Sequence, residues 1–130
     1  MNLRYALSII AEDIRPAEDQ QAVFRLAKYI FAHKHDIKHL TYYAISQVVD
    51  VKRPDKLLQI AQYLSGERVK LLEMKFELII DDCVTQLDYE TVYHAETTGS
   101  LIHPETGYPV ENYTRHVYPY FVPSSEVENG

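Results

Sequence analysis

A cluster of histidines beside an aspartate is the first group of side chains in this chain that could bind a metal ion. It comprises His33, His35, Asp36 and His39. His35 and His39 are four residues apart, so on a helix they would share one face and could hold a metal such as zinc. The cluster also lies where a predicted helix should end, and histidine near a helix C-terminus interacts favourably with the helix dipole. We favour this second interpretation and predict no metal site and no cofactor.

The single cysteine is the second candidate, because a thiolate with a neighbouring base can act as a nucleophile. Neither His94 nor His103 lies at a characteristic spacing from Cys83, and a lone cysteine beside a strand is more often a small apolar side chain. Glu90 and Glu105 could supply general acid–base chemistry with these histidines, but the sequence alone gives them no geometry. The chain also lacks a glycine-rich phosphate-binding loop. We therefore predict that the protein is not an enzyme.

Composition and charge limit the classes of protein to consider. A chain of 130 residues with 46% hydrophobic residues is large enough for one core. Residues 20–75 carry ten Lys/Arg and five Asp/Glu, whereas residues 76–130 carry one cation and ten acids. The net charge of −6 therefore hides a basic part and an acidic, tyrosine-rich part. Such an asymmetry bears on the choice of partner rather than on the fold.

The same composition gives an expectation for location. One cysteine excludes an intramolecular disulfide, which fits a reducing cytoplasm. The apolar stretch from Ala6 to Ala11 is interrupted by Glu12 and Asp13, and no apolar run reaches the length of a membrane span. We expect a cytoplasmic protein without a signal peptide and without contact to a membrane.

Three helices are predicted in the first half of the chain, after a short apolar element of uncertain type at residues 3–11. Apolar residues at spacings of three and four predict a helix from Pro16 to Lys34. A second, shorter helix should open at Leu40-Thr41, with Thr41 as its N-cap. A third should begin at Pro54, where the missing N–H costs nothing, and stop at Ser65-Gly66 with Gly66 as C-cap.

Strand signals follow the third helix. Apolar and charged residues alternate over residues 69–80, which predicts a strand, and Asp81-Asp82 should turn it into a return strand from Cys83 to Gln86. Further predictions are a short helix from Asp88 to Glu96 capped by Asp88, a turn from His103 to Gly107, an edge strand or packed extended segment from Tyr108 to Val122, and a mobile end from Ser124 to Gly130.

The order of helix, short helix, tight turn, third helix and hairpin resembles the winged helix-turn-helix superfamily over roughly residues 20–86. Residues 41–64 match the helix pair and residues 70–86 match the wing. Ala44 and Val51 are typical of the family, but residues 50–53 lack its usual small, glycine-like turn residue. The resemblance implies an α+β fold, with a winged core in residues 1–96 and a Tyr/Pro-rich extension in residues 97–130.

In such proteins the third helix, here Pro54 to Leu64, is the recognition helix. Its cations would release counterions from phosphates, and its glutamines could make bidentate contacts with adenine. The residues that the resemblance assigns to double-stranded DNA are Lys52, Arg53, Lys56, Gln59, Gln62, Tyr63, Arg68, Lys70 and Lys75. We therefore expect a non-enzymatic DNA-binding regulator that acts as a homodimer.

The alternative is a protein–protein adaptor, an accessory subunit of a larger bacterial effector complex such as one of a phage-defence system. An acidic, tyrosine-rich segment suits a protein interface, because tyrosine combines a large apolar body with a polar tip. The residues predicted to contact a partner protein, or a second copy of the chain, are Tyr108, Tyr113, Tyr118, Tyr120 and Phe121.

Overall fold

Helices make up most of the first half of the chain, and a small antiparallel sheet follows them in the computed structural model, which describes residues 1–128. This is an α+β fold. The helices are α1 Leu3–Asp13, α2 Ala17–Ala32, α3 Tyr42–Val49, α4 Pro54–Ser65 and α5 Tyr89–Thr98. The strands are β1 Leu72–Ile80, β2 Cys83–Leu87 and β3 Val117–Pro123, and a short 3₁₀ helix spans Tyr113–Arg115.

The predicted boundaries of α2, α3 and α4 are confirmed to within two residues, because their signals are local. Thr41 caps α3 by accepting a hydrogen bond from the N–H of Ala44 at 3.1 Å. Pro54 is the first residue of α4, where a proline loses no intrahelical bond. The turn between these helices is closed by Asp50, whose φ of 55° is the left-handed conformation usually taken by glycine.

The sheet has the strand order β2-β1-β3. β1 and β2 form the predicted hairpin, with Phe76 opposite Leu87 and Ile80 opposite Cys83. Asp81 and Asp82 have φ values of 49° and 65°, as a two-residue type I′ turn requires. On the other edge of β1, the N–H of Ile79 donates to the carbonyl of His116.

By contacts along the backbone, the chain divides into two compact units. The first, here called the helical unit, is Met1–Glu73 together with the segment from Phe121 onward, and the second, the hairpin unit, is Met74–Tyr120. These bounds differ from the predicted division between residues 96 and 97. They place the end of β3 and the residues after it with the helices.

The helical unit has a core to which α1 to α4 each contribute one face. α2 supplies most of it because its apolar residues recur at spacings of three and four. The buried residues of α2 are Ala22, Val23, Leu26, Ala27, Ile30 and Phe31. Leu40 and Phe121 add a backbone bridge, in which each N–H donates to the carbonyl of the other at 2.9 and 2.8 Å.

The segment after β3 corrects our prediction of a mobile end. Ser124 and Val127 are buried, and the N–H of Ser124 donates to the carbonyl of Leu71 at 2.9 Å. Lys34 Nζ donates to the carbonyl of Val127. Residues 124–128 therefore belong to the helical unit, and the rest of the predicted mobile segment, residues 129–130, lies outside the described part.

The hairpin unit has its own small core. Leu78, Leu87, Ala95 and Leu101 are buried there, with partly buried side chains around them. Asp88 caps α5, since its carboxylate accepts a hydrogen bond from the N–H of Thr91 at 2.7 Å. The predicted helix and its cap are therefore confirmed. The turn at residues 103–107 is also present, closed by the bond from the Gly107 N–H to the carbonyl of His103.

Gly66 occupies the predicted C-cap position of α4, but not in the left-handed conformation that glycine usually takes there. Its φ of −76° is open to any residue, so left-handed backbone is not what requires glycine. A β-carbon there would lie 3.1 Å from the carbonyl oxygen of Gln62. The close approach of the last helical turn is what favours the missing side chain.

Candidate functional site

The cations before and within α4 are already engaged with acids of the same chain. The guanidinium of Arg53 forms two hydrogen bonds to Asp55, from Nη2 at 2.6 Å and from Nε at 3.1 Å. These bonds hold the pKa of Asp55 below its ordinary value. Lys56 Nζ lies 3.4 Å from the carboxylate of Asp19 in α2. Arg53 and Lys56, which were predicted to contact DNA phosphates, therefore each pair with a carboxylate of this chain instead.

Tyr63 and Arg68 meet at Asp13, at the end of α1. Arg68 donates to both oxygens of the carboxylate, at 2.8 and 2.9 Å, and the Tyr63 hydroxyl donates to Oδ2 at 2.6 Å. The bond from Arg68, followed by that from Tyr63, lowers the pKa of Asp13. Burial, followed by the bond to Asp13, raises the pKa of Tyr63. Both side chains thus brace α1 against the end of α4.

The remaining predicted DNA contacts lie in three places. Lys52, Gln59 and Gln62 are exposed, and none of their side-chain atoms is bonded to another group in the part of the chain that the structure describes. Lys70 is also exposed but follows α4 in a left-handed conformation, with φ of 42°. Lys75 belongs to the hairpin unit.

The charge of each unit differs from the charge counted along the sequence. The helical unit carries eleven Lys/Arg and eleven Asp/Glu, so its formal charges cancel. The hairpin unit carries two Lys/Arg and eight Asp/Glu, a formal charge of −6. A nucleic-acid surface normally has an excess of positive charge. The helical unit as a whole has no such excess of positive charge.

An apolar groove lies between the N-terminal parts of α3 and α4 and has a volume of about 570 Å³. Its floor includes Ser46 and Leu57, which are buried, and its walls include Tyr43 and Leu58, which are 74% and 44% exposed. The complete lining is Tyr42, Tyr43, Ser46, Gln47, Lys52, Pro54, Leu57 and Leu58. Lys52 is the one charged side chain in that lining.

Helix geometry explains why this groove exists. Neighbouring residues of a helix point about 100° apart, and α3 and α4 each have a pair of adjacent large apolar residues of which one member is directed into the core. In α3, Tyr42 packs edge-to-face on Phe121, with ring centroids 5.4 Å apart, and its neighbour Tyr43 is left outside. In α4, Leu57 is buried and Leu58 is left outside. Two unmatched apolar side chains therefore flank one hollow.

The tyrosine set predicted to contact a partner is not gathered on one surface. Phe121 is fully buried in the helical unit, and Tyr120 is buried in the hairpin unit, so we correct their assignment as surface contacts. Burial, and then the charge of Glu77, raises the pKa of Tyr120. Tyr113 is partly buried and donates to the carbonyl of Ala95 at 3.2 Å.

Tyr108 and Tyr118 are the members of that set that remain exposed. The hydroxyl of Tyr118 donates to the carbonyl of Arg115 at 3.1 Å. The exposed aromatic residues that our sequence reasoning missed include Tyr43 in α3 and a pair in α5, Tyr89 and Tyr93. A sequence signal was present for Tyr43, because it lies directly beside Tyr42 and the two side chains point about 100° apart on a helix.

The histidine cluster lies at the end of α2, as the second interpretation predicted. α2 ends at Ala32, and His33 is its C-cap, with its ring 4.6 Å from that of Tyr29. Within residues 1–128, no group of three or more His, Cys, Asp or Glu side chains is placed to hold a metal ion. Cys83 is exposed at the start of β2.

No helix in the described part of the chain is both long and apolar enough to cross a membrane. In comparisons with known proteins, no family model matched the sequence, and neither the curated proteins nor the solved structures gave a significant match.

Proposed function

We propose that this protein is a non-enzymatic protein–protein adaptor with a winged helix-turn-helix fold, and that the groove between α3 and α4 binds a partner protein. Three features support the fold: the capped pair α3 and α4 with its short turn, the β1–β2 hairpin after α4, and the pairing of Leu40, just before α3, with β3. The left-handed Asp50 supplies the turn that a glycine-like residue would otherwise make.

The exposure of Tyr43 and Leu58 beside an open apolar hollow is the observation that carries the proposed function. Contiguous apolar surface with a polar rim is typical of interaction sites on soluble proteins. Tyrosine is enriched among the residues that dominate binding energy, and a leucine in a groove is a usual anchor for a helix. Both side chains are already exposed, so a partner would bury them without rearranging the core.

The occupant that fits best is an amphipathic helix of a larger effector protein. A groove of about 570 Å³ has room for two or three apolar side chains spaced by one helical turn. Lys52 on its rim has no carboxylate bonded to it in the described part of the chain, and an acid on the partner helix would complement it. Arg53 and Lys56 are already paired with Asp55 and Asp19, so Lys52 is the cation nearby that an acid of the partner would pair with.

DNA binding is the second candidate, supported by a specific set of side chains. Lys52, Gln59 and Gln62 are exposed on or just before α4, which is the helix that would read the major groove. Against it stand the two carboxylates, Asp19 and Asp55, that accompany the nearby cations. Three cations and two acids leave a net charge of about one for phosphate contacts, whereas each phosphate neutralised contributes separately to affinity and salt dependence.

Photo-crosslinking tests the adaptor proposal directly. A benzoylphenylalanine in place of Tyr43, introduced in the native cells, should capture one protein that the same probe at Tyr5, an exposed tyrosine of α1, does not capture. Binding to that purified partner should then weaken more than about tenfold in Leu58→Glu. Gln62→Glu, which adds the same charge to an exposed position of the same helix, should bind like the wild type.

If the protein instead binds DNA, different results are expected. A random DNA duplex should bind the protein at about 50 mM salt, lose affinity steeply by about 200 mM, and bind Lys52→Ala more weakly, with a salt slope reduced by about 1. That result, together with no protein captured from position 43, would overturn the adaptor proposal. A folded Leu58→Glu variant that binds the captured protein normally would also overturn it.

A further inference from the structure

Helix α5 in the hairpin unit exposes nearly all of its length. Among residues 89–98, Ala95 is the one that is buried. Tyr89 and Tyr93 are 79% and 56% exposed, and their rings stack with centroids 6.0 Å apart and planes 19° apart. Four residues of separation place them on the same face, one turn apart. Together they form a flat aromatic surface, here called the tyrosine face.

The contact between α5 and the rest of its own unit is small. Isolated helices shorter than about 12 residues are marginal in water, and helices in proteins gain most of their stability from a packed apolar face. α5 has ten residues and packs through Ala95 and the partly buried Val92. Two large aromatic side chains meanwhile remain in solvent, where they bury little beyond each other.

The charge around the tyrosine face indicates what would cover it. Glu90 and Glu96 are exposed on α5 itself, and the capping carboxylate of Asp88 has its pKa lowered by its hydrogen bond with Thr91. The whole hairpin unit has a formal charge of −6. Phosphates would be repelled by this field, so stacking of nucleic-acid bases on the tyrosines is disfavoured. Cations would be attracted, and guanidinium groups stack well on tyrosine rings.

We propose that the tyrosine face of α5 is a second binding surface, and that it binds an arginine-rich segment of a partner protein. Guanidinium planes would lie on the rings of Tyr89 and Tyr93 while Glu90 and Glu96 pair with their charges. This surface shares no residue with the groove between α3 and α4, so the two proposals can be tested independently.

Fluorescence anisotropy with a labelled oligo-arginine peptide and the full-length protein tests the proposal. The wild type should bind at low salt, and the double variant Tyr89→Leu/Tyr93→Leu should bind about tenfold more weakly, the factor that two cation–π contacts together represent. Leucine is a good helix former, so circular dichroism should show the helix intact. Tyr108→Leu, at an exposed tyrosine of the same unit, is the matched control and should bind normally.

Three outcomes would overturn the inference. The first is that the peptide does not bind the folded protein at low salt. The second is that the peptide binds the double variant as tightly as the wild type, which would indicate charge attraction without a specific surface. The third is a labelled single-stranded oligonucleotide that binds through the same tyrosines more tightly than the peptide does. The groove variant Leu58→Glu should leave peptide binding unchanged.

Discussion

Replacement of Phe121 by alanine should lower the free energy of unfolding by about 3–5 kcal/mol. The side chain is fully buried. An aromatic residue buries about 150–250 Å², which at about 25 cal/mol per Å² amounts to about 4–6 kcal/mol. Alanine keeps the β-carbon and part of that area, but it loses the edge-to-face contact with Tyr42, worth about 0.5–1.5 kcal/mol. The loss is a large part of the about 5–15 kcal/mol that a domain has.

Urea unfolding followed by circular dichroism measures this change. With a dependence of about 2 kcal/mol per molar urea, the midpoint should fall by about 2 M while the slope stays constant. Tyr118→Ala is the matched control, because it removes an aromatic ring from the same strand at a position that is 47% exposed. It should cost less than about 1 kcal/mol.

Equal midpoint shifts in the two variants would refute the reasoning. A Phe121→Ala variant as stable as the wild type would place the ring at the surface, where the sequence analysis put it, and would return Phe121 to the set of partner contacts.

Two further predictions concern local contacts. Thr41→Ala should lower the free energy of unfolding by about 1 kcal/mol through loss of the α3 cap, whereas Thr41→Ser keeps the hydroxyl and should match the wild type; equal urea midpoints for both would argue against the cap. The pKa of Asp13 is lower in the folded chain than its unfolded value of about 3.9, so its stabilisation is complete above that value and is lost as pH falls through the folded pKa. Asp13→Asn should therefore flatten the acid limb of a stability–pH profile, though not abolish it, because the pKa values of Asp55 and Asp88 are also lowered; parallel profiles would contradict the Asp13–Arg68 contact.

Elements with local signals could be predicted from the sequence, and those set by distant contacts could not. The caps at Thr41 and Asp88 act within three residues, which is why both were identified. α1 remained undefined although its buried residues Ala6 and Ile10 are four apart, because Tyr5, Ile9 and Ala11 add apolar residues outside that spacing and obscure the period. The pairing of Leu40 with Phe121 joins residues far apart in the chain, and nothing in the local pattern of either segment specifies it.

The candidate groove could not be predicted from the sequence for the same reason, because it depends on contacts between different helices. Apolar spacing predicts that Leu57 and Leu58 both lie on the core face of α4, which is correct for Leu57 and wrong for Leu58, which is 44% exposed. The spacing also does not show that Leu58 and Tyr43 line the same groove. Their meeting depends on the angle between α3 and α4. The burial of Phe121 likewise depends on a bridge to a residue before α3, so a tyrosine-rich segment read by itself looks like a surface.

The charge counted over a stretch of sequence differs from the charge of the folded unit, because folding brings in acids from outside that stretch. The basic excess of residues 20–75 was real as a count, but two of the acids that bind its cations, Asp13 and Asp19, lie before residue 20. Folding brings them to Arg68 and Lys56. The helical unit as a whole has no net formal charge, whereas the hairpin unit has a formal charge of −6. The two proposed surfaces should therefore respond differently to salt. Binding in the groove rests on apolar burial, which salt does not screen, whereas binding to α5 rests largely on attraction between exposed charges, which salt weakens.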